Sequence, residues 1–194
     1  MAILKRLLRQ RLTSAAAIGR FAAALVCATA PMCAANAATP EYEVKAVFLF
    51  NFTQFVEWPA DAFANSASPL VIGVLGEDPF GSVLDDAVRG EKVNGRSLVV
   101  QRYRSTAEIK NCQILFLSSS ESQRMKQTLE SLKGHSILTV SDIDGFAGKG
   151  GIIRMATLDR KIHLRINLGA AQAARLTLSS KLLKPAEIVA DGEN

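Results

Sequence analysis

Short apolar runs that alternate with polar, helix-forming segments constrain the fold of this chain more than any other feature of its sequence. The run LVIGVL at 70–75 is apolar throughout, which is typical of a strand buried in a parallel sheet. Because strands that alternate with helices imply parallel pairing, the pattern predicts an α/β fold with a mainly parallel open sheet flanked by helices. The predicted strands are 70–75, 97–103, 112–118 and 136–140, and the predicted helices between them are 80–88 and 118–133.

The last third of the chain departs from this alternation. Two apolar segments, 151–155 and 161–166, lie on either side of a short turn at Asp159 and predict a β-hairpin. The segment 168–183 predicts one final helix, and the polar residues 188–194 are expected to form a loose C-terminal tail. The predicted fold class is therefore a single α/β domain that closes with a C-terminal hairpin and a final helix.

The first 37 residues have the composition of a targeting segment. Cationic residues come first, the apolar run FAAALVCATA follows at 21–30, and the small-residue sequence ANA stands at 35–37. This order is typical of a secretory signal peptide, and the apolar run is shorter than the ~20 residues that span a bilayer. We expect cleavage near Ala37–Ala38 and a periplasmic domain at 38–187, with an uncleaved N-terminal anchor as the alternative.

Removal of the signal peptide changes both charge and cysteine content. Five of the 23 lysine and arginine residues lie in 1–37, and none of the 18 acidic residues does. The rest of the chain is therefore close to neutral, which argues against nucleic-acid binding, since that function needs a basic surface. No other segment is long and apolar enough to insert stably into a membrane.

Cys112 is left without a disulfide partner, and its apolar context predicts a buried structural residue.

The domain opens with an aromatic-rich segment, PEYEVKAVFLFNFTQFVEWP. Pro40 suits the first position of a helix that Thr39 would cap, and Pro59 disfavours helical geometry in the residue before it, so an amphipathic helix ending at Trp58 is predicted. Phe50 falls on the polar face, where it either meets a second layer of structure or is a candidate contact for a partner protein. The face expected to enter the core carries Val44, Val47, Phe48, Asn51, Phe52, Phe55 and Trp58.

The sequence holds no recognisable catalytic, cofactor-binding or metal-binding motif. His135 and His163 are its only histidines, and His163 is expected at a surface or strand edge. The motifs of zinc proteases, thiol redox proteins and serine hydrolases are missing. The glycine-rich segment 148–155 lacks the spacing of a phosphate-binding loop and is expected to form a flexible turn.

Two loops that follow predicted parallel strands form the candidate ligand cleft. Ligands of open α/β sheets bind beside the carboxyl ends of the strands, where GEDPFG (76–81) and SSSES (118–122) are expected to lie. Serine hydroxyl groups and backbone N–H groups at a helix start can hold an anion, whereas the acidic side chains would oppose one. Ordinary helix capping is the alternative interpretation. The candidate cleft residues are Glu77, Asp78, Ser118, Ser119 and Ser120.

Several segments together resemble the YfiR-like family. They are VKAVFLFNFTQFVEWP, IGVLGEDPFG, NGRSLVVQRY, CQILFLSSSE, GGIIRM and IHLRINLGAAQAARLTLSSKLLKPA, and the resemblance covers nearly all of 41–187. It implies a periplasmic α/β domain without catalytic activity that holds down a membrane-bound diguanylate cyclase by binding the periplasmic sensor region of that enzyme. Some family members carry cysteine pairs that suit redox control. The residues around Gly150 and Gly151 include no cysteine here, so that control is not implied for this chain.

The leading functional hypothesis is therefore a regulatory protein that represses an inner-membrane diguanylate cyclase, lowers cyclic di-GMP and so influences biofilm formation and motility. The alternative is a periplasmic small-ligand sensor that uses the candidate cleft and signals through another membrane receptor. A hydrolase is the third possibility, and the missing catalytic motifs argue against it. No cofactor is expected, and a homodimer is compatible with the sequence.

Overall fold

Ten strands and five α-helices form the structure, a computed structural model that describes residues 38–193. The helices are α1 (Pro40–Phe55), α2 (Ser82–Val88), α3 (Met125–Ser131), α4 (Leu168–Ala173) and α5 (Ser180–Leu183). The strands are β1 (Val56–Glu57), β2 (Leu70–Leu75), β3 (Lys92–Val93), β4 (Arg96–Tyr103), β5 (Ile114–Leu117), β6 (Leu138–Ser141), β7 (Ile153–Leu158), β8 (Lys161–Asn167), β9 (Thr177–Leu178) and β10 (Glu187–Val189). Short 3₁₀ helices lie at Ala60–Ala62, Thr106–Glu108, Ser119–Glu121 and Ala147–Lys149.

Eight of these strands form one sheet in the order β10-β8-β7-β6-β5-β2-β4-β3. The strands from β4 across to β7 are parallel to one another, whereas β8 is antiparallel to β7, and β3 is antiparallel to β4. The predicted mainly parallel α/β sheet and the C-terminal hairpin are therefore confirmed. The hairpin turns at Asp159 and Arg160, which both adopt positive φ angles. Strands β1 and β9 pair separately.

Side chains of the central strand β2 alternate between two hydrophobic cores. Ile72 and Val74 enter the larger core, which also receives side chains from α1, α2, α4, α5 and the hairpin. Val71 and Leu75 enter the smaller core, which lies under α3 and includes Phe146. The sheet is thus covered on both faces, as its fully apolar central strands require.

Helix α1 is rotated about its axis, so that the face in contact with the core differs from the predicted one. Val44 and Val47, which were expected in the core, are 47% and 51% exposed. Lys45 and Thr53 are buried instead. Thr53 Oγ1 is satisfied within the helix, where it donates to the carbonyl oxygen of Phe50 at 2.6 Å. Since apolar side chains occur all around this helix, their spacing does not identify the buried face.

The other predicted core residues of this segment divide into two groups. Phe52 is fully buried, as predicted. Phe48, Asn51, Phe55 and Trp58 are half-buried. The helix also ends earlier than predicted, because the chain becomes extended after Phe55 and pairs as β1 with β9.

Two further predicted helices are shorter than expected. Only Ser119–Glu121 and α3 are helical within the predicted helix 118–133. The predicted final helix 168–183 is interrupted at Arg175, which has a φ angle of 59°, and the interruption contains β9. Ser179 then caps α5 by accepting a hydrogen bond from the backbone N–H of Lys181 at 3.3 Å.

The chain beyond the last helix is not a loose tail. Residues Glu187–Val189 form β10, which pairs in parallel with β8. The backbone N–H of Gly192 then donates to the carbonyl oxygen of Gly148 at 2.8 Å. The expectation of a flexible turn at 148–155 is wrong for the same region, because Gly151 packs directly against the ring of Phe146 and β7 begins two residues later.

The predicted signal peptide at 1–37 lies outside the described residues, so its cleavage near Ala37–Ala38 stays a prediction. Within 38–193, no helix combines the length and the apolar character that crossing a bilayer requires.

Candidate functional site

A buried polar cluster fixes the first half of α1 to the rest of the domain. Lys45 is 1% exposed, and its Nζ lies 2.6 Å from Asp142 Oδ2 and 2.5 Å from Glu41 Oε1. Tyr42 donates its hydroxyl hydrogen to the same Asp142 oxygen at 2.9 Å, and Thr157 donates to Glu41 at 2.7 Å. These bonds connect α1 to the end of β6 and to β7, and therefore determine which face of α1 points outward.

The electrostatic effects in this cluster follow from the same contacts. The hydrogen bond from Lys45, followed by that from Thr157, holds the pKa of Glu41 below its ordinary value. Burial, followed by the negative charge of Asp142, raises the pKa of Tyr42. At neutral pH the cluster therefore contains an ionised Glu41 and a neutral Tyr42.

The side of α1 opposite this cluster carries a stripe of four uncharged side chains, bordered by the exposed Glu43. We call this stripe the α1 outer face and define it as Val44, Val47, Asn51 and Gln54. The two valines are among the most exposed large apolar side chains of the described residues. The positions are spaced by three and four residues, so they form one stripe along the helix. Protein interfaces are depleted of charge at their centres, and this stripe has that composition.

Phe50 flanks the α1 outer face. The side chain is half-buried and packs against the larger core, as Phe48 and Phe55 do. Phe50 is therefore not the single exposed aromatic residue that the sequence indicated, because the helix is rotated. Its accessible part borders the stripe, and its role as a partner contact stays a prediction.

The two loops of the candidate ligand cleft meet at the carboxyl ends of β2 and β5. The backbone N–H of Glu77 donates to Ser120 Oγ at 3.0 Å, and Ser118 is buried while Ser119 is exposed. A Cβ atom on Gly76, whose φ angle is 93°, would lie 2.4 Å from that Ser120 oxygen, so glycine permits this close approach. The loops are thus held together by an internal hydrogen bond, and a ligand there stays a prediction.

Asp78 is also used inside the protein. Its carboxylate accepts the backbone N–H of Phe80 at 2.8 Å and the Nε–H of Arg102 at 2.8 Å. Arg102 bonds Asp85 as well, and this hydrogen bond lowers the pKa of Asp85 below its ordinary value. These contacts order the loop before α2 and leave Asp78 engaged within the protein, but they do not cap a helix, because the N-cap of α2 is Gly81 and no side chain caps it.

A cavity of about 320 Å³ lies elsewhere, between α3, α4 and the loop before β7. Its wall is mostly apolar and includes Leu129, Leu132 and Ile152, with His135 and Asp191 among its polar residues. The volume falls at the lower end of the range for small-molecule sites, about 300–1,000 Å³.

Cys112 is buried, and its thiol donates to the carbonyl oxygen of Ile114 at 3.0 Å. Burial raises the pKa of this thiol to about 12, so almost no thiolate exists at neutral pH.

In the folded protein we expect the Cys112 peptide to escape alkylation by iodoacetamide at pH 7.5. In denaturant, mass spectrometry should find it fully alkylated. Rapid alkylation of the folded protein would contradict the structural role.

Across 38–193, no group of three or more His, Cys, Asp or Glu side chains is placed to hold a metal ion. His135 lies at the rim of the cavity and His163 is exposed on β8.

The sequence did not reveal the α1 outer face or the cluster around Lys45. The two valines are predicted to lie in the core because they share the predicted apolar face, and no pattern in the sequence indicates that Lys45 is buried. One signal was available for the cluster: a lysine four residues after Glu41 forms an i,i+4 pair on a helix. Nothing in the sequence connected it with Asp142, which is 97 residues away.

Comparison with known proteins identifies a family for this chain. A search of curated proteins found no match. A family model described as YfiR/HmsC-like matches residues 42–187, which includes most of α1, the central sheet and the C-terminal hairpin. Because the match covers most of the chain, this protein belongs to the YfiR/HmsC-like family.

Proposed function

We propose that this protein represses an inner-membrane diguanylate cyclase by binding the periplasmic region of that enzyme, and thereby lowers cyclic di-GMP. The YfiR/HmsC-like family consists of periplasmic regulators of diguanylate cyclases, which supports this assignment at the level of the family. The proposed signal peptide at 1–37 would deliver the domain to the compartment in which the sensor region lies. Repression by this route is stoichiometric and needs no catalytic group.

The proposal depends mainly on the exposure of apolar side chains on the α1 outer face. Val44 and Val47 are about half exposed on a helix whose other side is fixed by the larger core and the cluster around Lys45. A rigid helix that presents an uncharged stripe loses little conformational freedom on binding, which favours affinity. Binding of a partner at this surface would therefore need no rearrangement of the domain.

The spacing of this stripe indicates what kind of surface it would contact. Val44, Val47, Asn51 and Gln54 follow the three-four spacing of a heptad seam, with the valines at its start. Such a seam packs against another α-helix, and an asparagine within it fixes the register of the pair. We expect an amphipathic helix of the partner's sensor region to lie along α1, with Phe50 contacting its edge.

Capture of the partner tests this proposal. The tagged protein is expressed with its N-terminal segment and is then recovered from solubilised inner membrane. Mass spectrometry identifies the proteins that are bound to it. We expect a membrane protein with a diguanylate cyclase domain in the wild-type sample. Val47→Asp places a charge in the centre of the stripe and should reduce recovery of the cyclase about tenfold or more, since about 1.4 kcal/mol corresponds to tenfold and an uncompensated buried charge costs about 3–5 kcal/mol.

The matched control is Gln127→Asp, an exposed position on α3, which covers the other face of the sheet. Both changes add one negative charge to a helix surface, and both should alter stability by less than about 1 kcal/mol. Equal recovery of the cyclase with both variants would exclude the α1 outer face as the binding surface. Absence of any cyclase from the wild-type sample would count against the proposed partner.

A small-ligand sensor is the second candidate function, and the cavity between α3 and α4 is the observation that favours it. The polar groups of the predicted cleft at the strand ends are bonded to one another, so that cleft gives the sensor less support than the cavity does. A sensor would change its melting temperature with a periplasmic metabolite, because a ligand that binds only the folded state stabilises it.

A further inference from the structure

A second pocket, with a volume of about 280 Å³, is lined by residues from the end of α1, from β1 and from the hairpin of β3 and β4. Its floor is formed by Thr53, Val56 and Leu70, which are all buried. A cavity of about 150 Å³ in another protein accepts benzene, so this pocket has room for an aromatic ring with a substituent. It shares no residue with the α1 outer face.

Two aromatic side chains form part of the wall of this pocket. Trp58 and Phe63 are both half-buried. The indole Nε1–H of Trp58 donates to the carbonyl oxygen of Gln113 at 3.1 Å, which fixes the orientation of the ring. Flat apolar ligands pack well against such walls, and one or two polar groups then determine their orientation.

Arg96 is the positively charged residue in this wall, and it is held in place from two sides. Its Cζ lies 3.9 Å from the ring centre of Phe63, and its Nη1 donates to the carbonyl oxygens of Asn65 and Ser68 at 2.8 and 2.7 Å. These contacts fix the guanidinium group before any ligand binds, which lowers the entropic cost of binding.

The other edge of the same guanidinium group is free. Nε and Nη2 of Arg96 have no hydrogen-bond partner among residues 38–193, and neither of them is a buried atom. The N–H groups on this edge of a planar guanidinium are parallel, so a carboxylate can accept both of them at once. The pocket therefore combines an apolar floor, an aromatic wall and one fixed pair of donors.

We propose that this pocket binds a small aromatic monocarboxylate, with the ring against Trp58 and the floor and the carboxylate on Nε and Nη2 of Arg96. Glu57 is exposed at the rim and opposes a second negative charge, which favours a monocarboxylate over a dicarboxylate. The proposal concerns a different surface from the one proposed for the cyclase, so each can fail without the other.

Fluorescence of Trp58 tests the site directly, because Trp58 is the only tryptophan in the chain. Sodium benzoate is titrated into protein purified after expression of the full chain, at constant ionic strength. Sodium acetate, which lacks the ring, and benzyl alcohol, which lacks the charge, serve as competitors. We expect a saturable change with benzoate, and displacement of benzoate only at concentrations of either competitor that are about tenfold or more higher.

Arg96→Lys keeps the charge but removes the parallel donors, so it should weaken binding of benzoate about tenfold or more and leave binding of benzyl alcohol nearly unchanged. Arg89→Lys is the matched control, because that side chain is 74% exposed and lies outside the pocket. Val93→Phe fills the pocket from its half-buried wall without a change at Arg96, and should abolish the response to benzoate.

Four results would overturn the proposal. They are the absence of a saturable change with benzoate, competition by acetate or benzyl alcohol as strong as that of benzoate itself, an undiminished response in the Val93→Phe variant, and an equal effect of Arg96→Lys and Arg89→Lys. An equal loss of benzoate and benzyl alcohol binding in the Arg96→Lys variant would also contradict it, since that result would give Arg96 a structural role alone.

Discussion

Replacement of Phe52 with alanine is expected to lower the free energy of unfolding by about 3–5 kcal/mol. The Phe52 side chain is fully buried in the larger core, and its ring centre lies 6.1 Å from that of Phe48. Truncation removes apolar contacts and leaves a cavity that the surrounding sheet and helices cannot fully close. Urea denaturation monitored by circular dichroism would measure this loss.

Val47→Ala provides the control on the same helix. Val47 is 51% exposed, and alanine favours the helix slightly more than valine does, so the free energy of unfolding should change by less than about 1 kcal/mol. The two variants together test which face of α1 is buried. Similar losses for both would show that the helix has a different orientation from the one described.

Replacement of Lys45 with methionine is expected to cost about 3–5 kcal/mol of stability, although methionine fills nearly the same space. The loss arises because the Asp142 carboxylate would remain only 12% exposed with Tyr42 as its donor and without its cation. Removal of one partner of a buried ion pair is costly mainly because it leaves the other charge uncompensated. Urea denaturation at pH 7 would measure the effect.

The double variant Lys45→Met with Asp142→Leu separates this explanation from a general loss of packing. Replacement of both members of a buried ion pair by apolar residues is often close to neutral. The double variant should therefore be more stable than the Lys45→Met single variant, even though it carries an additional substitution. Losses that simply add would contradict the described contact between Lys45 and Asp142.

The parts of the fold that the sequence predicted are those with one consistent local signal. LVIGVL at 70–75 is apolar throughout and flanked by turn residues, and it forms the centre of the sheet. The segment after Leu168 gave a mixed signal, because helix-forming residues continue past the point where Thr177 and Leu178 pair with β1. That pairing joins distant parts of the chain, so local preference could not predict the interruption.

The candidate surface was harder to predict for a different reason. In α1 the apolar residues cover more than one face, so the choice of the buried face depends on where Lys45 finds a carboxylate. Asp142 provides it from the end of β6, and the rotation that follows exposes Val44 and Val47. The residues that were predicted to fill the core therefore form part of the proposed binding surface.

Cellular cyclic di-GMP in a deletion strain tests the central claim most directly. Deletion should raise cyclic di-GMP, and the full chain or its Gln127→Asp variant should lower it again. The Val47→Asp variant should fail to do so at equal protein level. Protein without residues 1–37, kept in the cytoplasm, should also fail, because the proposed partner surface lies across the membrane. If deletion causes no rise in a strain that expresses both proteins, the repressor function is contradicted and the ligand sensor becomes the better account.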